Sequence, residues 1–206
     1  MSVTMTQVSV LAADPAAPVS AAEATHQAQR NIALLNLDDT IDDPRYEFLE
    51  ALRSGLPHRA MLNRLKKASD KINAAAMPRS ACRSGCSHCC HISVLISQSE
   101  ADAIGTSIGR KPRKLKERLP GVKVRDKWFK VPCTFLKKGR CSIYSERPLA
   151  CRLMFNMSDT PYFCNTAIPP EESHVTMLDM RKLEEGYAKV FLKQDWGDVR
   201  DFFPPK

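Results

Sequence analysis

The placement of cysteine constrains this chain more than any other feature. Cys82, Cys86, Cys89 and Cys90 lie within the ten residues CRSGCSHCCH, and Cys133, Cys141, Cys151 and Cys164 follow well downstream. Thiols crowded this closely are poorly placed to bridge one another, yet they suit one ion or cluster that gathers several thiolates at once. A disulfide framework would also demand an oxidising compartment. No Lys or Arg precedes Arg30, and Asp14, Pro15 and Pro18 interrupt the early apolar residues, so no secretory signal is expected. No stretch approaches the ~18 apolar residues of a membrane span. The expectation is a cytoplasmic protein with no membrane association, in which eight thiols are metal-binding or redox-active.

Within the first block the spacing is Cys82-x3-Cys86-x2-Cys89-Cys90. A Cys-x2-Cys step lets a tight turn bring two thiolates and nearby backbone N–H groups to one metal. Gly85 suits that turn because it tolerates positive φ. Adjacent Cys89 and Cys90 would point to opposite faces of an extended backbone, and so would serve different metals or leave one thiol for redox work. In the second block, Cys133 and Cys141 can meet across a hairpin turning at Gly139. Cys151 falls in the first turns of a short helix that Ser145 can cap, with Pro148 in its first turn. A helix N-terminus favours a thiolate there, and Arg147 and Arg152 flank it as donors to sulfur. Alone, Cys164 would read as a small buried hydrophobe; as one of eight it joins the candidate ligands. His88 and His91 could each replace a thiolate, although a supporting or surface role is commoner.

At 206 residues the chain can form one core with a tail to spare. The pattern predicts a helix-rich α+β fold: a small cysteine-lined metal-binding core with a short hairpin, flanked by N- and C-terminal helices. Residues 1–27 read as a flexible tail, 28–78 as a helical region, 79–168 as the cysteine domain and 169–206 as a C-terminal helix and tail. Helices are expected from Gln29 to the Asp38, Asp39 and Asp42 cluster, from Asp43-Pro44 to Gly55, and from Pro57 to Ala76. A short strand over Ile92–Ile96 precedes a helix opened by the Ser97/Glu100 capping pair. Pro120-Gly121 marks a turn, Val122, Val124 and Trp128–Cys133 look extended, and Met177–Val190 has helical spacing.

Net charge is +8 and unevenly placed: between Arg110 and Arg140, thirteen Lys or Arg face only Glu117 and Asp126, leaving +11 there and −3 elsewhere. This run suits an acidic or nucleic-acid partner, with Trp128 and Phe129 as stacking groups. It equally suits compensation for an anionic thiolate–metal centre. A solvated basic face is the commoner fate of such runs, so nucleic acid is open rather than favoured.

The segments CRSGCSHCCHISVLISQSEADAI and VPCTFLKKGRCSIYSERPLACRLMF resemble the YkgJ-type cysteine-cluster family, named for its CxxCxxCC motif and described as a zinc- or iron-chelating domain. PCxFL stands at Pro132–Leu136 and CxIYxxRPxxCR at Cys141–Arg152. Cys82 and Cys86 depart from the name motif by one extra intervening residue. The likeness covers about residues 80–165 and implies metal binding by the matched cysteines without implying a reaction.

Three functions are compatible with these residues. One is a metal-binding protein holding Zn or an Fe–S or iron centre, in a structural or accessory role, with an unidentified protein partner. Another is an Fe–S-dependent redox or modifying enzyme, a label this family has sometimes carried. The third is a nucleic-acid-binding zinc module. No P-loop and no GxGxxG fingerprint is present. Cys82-x3-Cys86-x2-Cys89 matches the radical S-adenosylmethionine spacing, but the 117 residues after Cys89 lack the repeated strand–helix units such barrels need.

Overall fold

The computed structural model describes residues 18–35, 43–83, 85–115 and 121–205. Most of the expected N-terminal tail (residues 1–17), the Asp38, Asp39 and Asp42 helix end, and Pro120 lie outside them.

Helix α1 (Ala21–Ala33) starts earlier than the expected Gln29, so residues 21–27 are helical rather than tail. Its cause is visible in the chain: the Ser20 side chain accepts from the Glu23 amide (3.2 Å), the spacing of a capping box. Helix α2 (Pro44–Arg53) opens at Asp43, as expected, with Pro44 where its missing N–H costs nothing. Helix α3 (His58–Ala76) buries Met61, Leu62, Leu65, Ala68, Ile72 and Ala76, a stripe at three- and four-residue spacing. Full burial of each large side chain in that stripe contributes roughly 1.5–3 kcal/mol.

Beyond the first cysteine block, strand β1 (Leu95–Ser97) starts three residues later than the Ile92–Ile96 expectation, because the Val94 amide bonds to the Asp198 carboxylate instead of a ladder. Helix α4 (Gln98–Ile108) begins at Ser97, as its Glu100 spacing indicates, and ends on left-handed Gly109. Residues Gly121–Trp128 form helix α5, which corrects the expected extended segment. Val122 and Val124 alternate like a strand, but Val124, Lys127 and Trp128 line one cleft with Trp196 and Gly197; residues three and four apart share a helix face, whereas a strand would send Val124 and Lys127 to opposite sides. Strands β2 (Leu136–Lys137) and β3 (Arg140–Cys141) make the expected hairpin. Helix α6 (Leu149–Leu153) follows.

The C-terminal helix α7 (Arg181–Val190) is shorter than its sequence periodicity suggests. Met177 pairs instead with Asn156 in an isolated bridge, flanked by Met157 N–H to Thr176 C=O at 2.9 Å. Strand β4 (Trp196–Asp198) then pairs antiparallel with β1, placing Ile96 opposite Gly197, and α8 (Val199–Phe202) follows. Neither element was expected. Among the described residues no helix is long and apolar enough to cross a membrane.

Two apolar clusters organise the whole. Helices α2, α3, α6 and α7 share the larger, which includes Phe48, Leu65, Ile72, Leu153, Phe155 and Phe191. The smaller joins Val94, Ile96, Ile104 and Phe135 to Val199, Phe202 and Phe203, with Cys133, Cys141 and Cys151 packed against it. The thiols therefore edge an apolar core rather than stand in for one.

Candidate metal centre

The first cysteine block is a loop held at both ends. Ala81 N–H donates to Asn156 C=O (2.9 Å) at its start, and Cys86 N–H closes a turn on Arg83 C=O (3.0 Å) in which Gly85 takes φ of 92°. His88–His91 is a single turn of 3-10 helix, so Cys89 and Cys90 are not extended; successive side chains there diverge by about 120°. Two backbone bonds then stitch the blocks together: Cys133 N–H to Cys90 C=O at 2.7 Å, and Lys130 N–H to His91 C=O at 2.8 Å.

The second block is set by its turn and its helix. Lys138 (φ 49°) and Gly139 (φ 73°) are both left-handed, the two-residue turn that matches strand twist, and β3 carries Cys141 out of it. Cys151 sits on α6, whose cap corrects the expectation: Pro148, not Ser145, precedes it. Ser145 belongs to the 3-10 turn Tyr144–Glu146, and the cap comes from a distant residue, Glu100, whose carboxylate accepts from the Leu149 amide at 2.6 Å.

Cys82, Cys86, Cys89, Cys90, Cys133, Cys141 and Cys151 line one cavity of about 300 Å³. Phe135, Ile143, Met154 and Phe155 supply apolar wall, and Arg83, Arg140 and Arg147 are the charged groups; no Asp or Glu among the described residues lines it. Cys164 is outside the lining and accepts a hydrogen bond from Asn156 Nδ2 (3.2 Å). His88 and His91 do not line the cavity, and His91 Nδ1 lies 3.2 Å from Ser87 C=O.

All eight thiols are free of disulfide bonds. Burial pushes Cys82, Cys86, Cys133, Cys141 and Cys151 above the ordinary thiol value and Cys164 to about 12. Cys89 departs from this pattern: a hydrogen bond with the Cys90 thiol lowers it to about 7, and the same bond raises Cys90. Mutual repulsion groups the thiols. Cys164 feels Cys82, Cys86 and Cys89, whereas Cys90 feels Cys133 and Cys151, with Cys89 also reaching Cys141 and Cys151.

The donor set fits a thiolate-bound metal. Zinc and iron, alone or in sulfide clusters, favour sulfur ligands, and the cavity offers seven without a competing carboxylate. Among the described residues no three His, Cys, Asp or Glu side chains already converge as a ligand set, so a shared ion requires the thiols to move closer together than they stand.

Several residues that build the site gave little sign of it in the chain. Asn156 is 3 % exposed; it offers its carbonyl to Ala81 and its amide to Cys164, linking the two blocks. Asp198 and Arg200 brace the loop after Cys90, and Asp198-x-x-Asp201 is a capping box legible as such. Arg152, expected beside sulfur, instead donates to the carbonyls of Arg147 and Ser145 and to Asp70. Trp128, expected as a stacking group, donates its indole N–H to Asp201 (3.1 Å), with Lys127 and Arg200 over its ring.

No curated protein and no solved structure matches the chain. The segment that carries both cysteine blocks, residues 81–174, matches the CxxCxxCC family, described as a "putative zinc- or iron-chelating domain".

Proposed function

We propose that this chain is a metal-binding protein whose clustered cysteines hold zinc or iron, the iron as an ion or in a sulfide cluster, in a structural or accessory role. One observation carries the reading: seven unbridged thiols from two distant blocks border one cavity that holds no carboxylate among the described residues. A divalent ion or cluster would be held by some of Cys82, Cys86, Cys89, Cys90, Cys133, Cys141 and Cys151, with Cys164 completing the set from behind Asn156. When bound it supplies either cross-linking of the two blocks or electron transfer. The chain's own contribution is to fix the loop, the hairpin and α6 so that thiols reach one space.

The apolar wall of the same cavity favours a second reading, an Fe–S-dependent redox or modifying enzyme. A closed structural site needs no such wall, and pockets of this size and apolarity are typical of bound small molecules.

Anaerobic purification with measurement of Zn, Fe, acid-labile sulfide and the visible spectrum separates these readings. Colourless protein with stoichiometric zinc supports the zinc form and removes the cluster. Brown protein with iron and sulfide does the reverse, and protein that takes up neither metal ends the proposal.

A further inference from the structure

Two arginines stand in the RPLACR segment, and their surroundings differ. Arg152 is 1 % exposed, and each of its three nitrogens donates, to Asp70 and to the carbonyls of Arg147 and Ser145. Its charge is spent on holding the 144–152 turn against α3. Arg147 is 8 % exposed and lines the thiol cavity, yet it makes no ion pair with any carboxylate among the described residues. Its guanidinium lies 3.9 Å over the Tyr144 ring, and one of its Nη atoms donates to the Tyr144 carbonyl (2.9 Å). Those contacts fix its place but leave its charge unbalanced, and a nearly buried, unbalanced guanidinium is costly.

The missing negative charge is supplied by the reading proposed above. Each thiol that ligates a metal gives its proton to solvent, so a divalent ion on four thiolates leaves two net negative charges inside the cavity. We propose that Arg147 is the positioning residue that balances this charge, so that arginine and metal centre are each stable only with the other. Arg83 and Arg140 share the lining; Arg140 is exposed, so solvent screens it more strongly.

The test uses the full chain. Apoprotein is titrated with Zn²⁺ against a chromophoric chelator, comparing wild type with Arg147→Gln and Arg147→Lys, with circular dichroism on each. Arg147→Gln is expected to weaken zinc binding by about 10–100-fold, the range seen when a group supporting the ligands is removed. Arg147→Lys keeps the charge and is expected to bind near wild type. Gln binding as tightly as wild type, or Lys failing as badly as Gln, overturns the assignment while leaving metal binding intact. Wild type that takes up no zinc or iron overturns both. Should Arg147→Gln lose its fold, Arg147→Lys decides: affinity near wild type supports the role of charge, and a tenfold loss or more overturns it.

Discussion

Arg200 and Asp198 form an ion pair with both side chains at 0 % exposure, Nε to Oδ1 at 2.7 Å, and the pair braces both cysteine blocks. Asp198 accepts from Val94 N–H and Ser93 Oγ, just after the first block. Arg200 donates to the carbonyls of Ile92, Trp128 and Val131, the last two in the stretch that leads to Cys133. Asp198 Oδ2 and both Arg200 Nη atoms thus hold chain that leads to or from a thiol. Removing one partner of a buried pair costs about 3–5 kcal/mol. Arg200→Met should destabilise by that amount in urea unfolding and lower metal uptake with it. Loss of less than about 1 kcal/mol, the level of a surface pair, would show that the pair does not brace the site.

The bracing explains which parts of the fold could be read from the chain. Local signals were legible wherever a cap or turn residue acts on its own neighbours: Asp43-Pro44, Ser97 with Glu100, and Gly139 each mark an observed boundary. Failures fall where a distant group intervenes. Ser145 loses the cap of α6 to Glu100, and the 122–124 alternation yields to a helix facing β4. The cysteine blocks identified the candidate site, but not that Asn156 and the C-terminal Asp198–Arg200 pair hold it. Those residues act across 69 to 108 positions in the chain, beyond any local pattern.

Glu100 is where the α6 cap meets the smaller core. Burial raises its carboxyl above the usual range, opposed by bonds from Leu149 N–H and Tyr187 OH. Because the folded value exceeds the unfolded one, the folded chain holds this proton more tightly. The resulting stabilisation is complete below the unfolded value and is lost as pH rises through the folded one. Glu100→Gln stays neutral and can still accept from Leu149. Its stability relative to wild type should therefore increase as pH rises from acid to neutral. Denaturant midpoints of both apoproteins across that range measure this, and parallel curves would refute it.

Gly105 lies inside α4, where helix propensity favours alanine by about 1 kcal/mol. The chain leaving the helix at Gly109 folds back over it: a Cβ at 105 would lie 2.6 Å from the Arg110 carbonyl oxygen and 2.8 Å from Pro112 Cδ. Overpacking against backbone costs about 1–3 kcal/mol and outweighs propensity. Gly105→Ala should lower the thermal midpoint, whereas a rise would show that the 110–112 segment yields freely.

Cys164 tests how the thiols divide. Its titration is pushed up by burial and by Cys82, Cys86 and Cys89, not by the hairpin and α6 thiols, and Asn156 holds it on the first block's side of the cavity. If Cys86 and Cys164 serve one metal, losing either empties the same position. Cys86→Ser and Cys164→Ser should then each lower metal per chain, and the double variant should lower it no further. Cys141→Ser, acting through the other block, should add its own loss to that of Cys164→Ser. Residues that share a ligand sphere are non-additive and independent ones are additive, so metal content across these variants distinguishes the cases. Additive loss in Cys86→Ser/Cys164→Ser would remove Cys164 from the first block's metal.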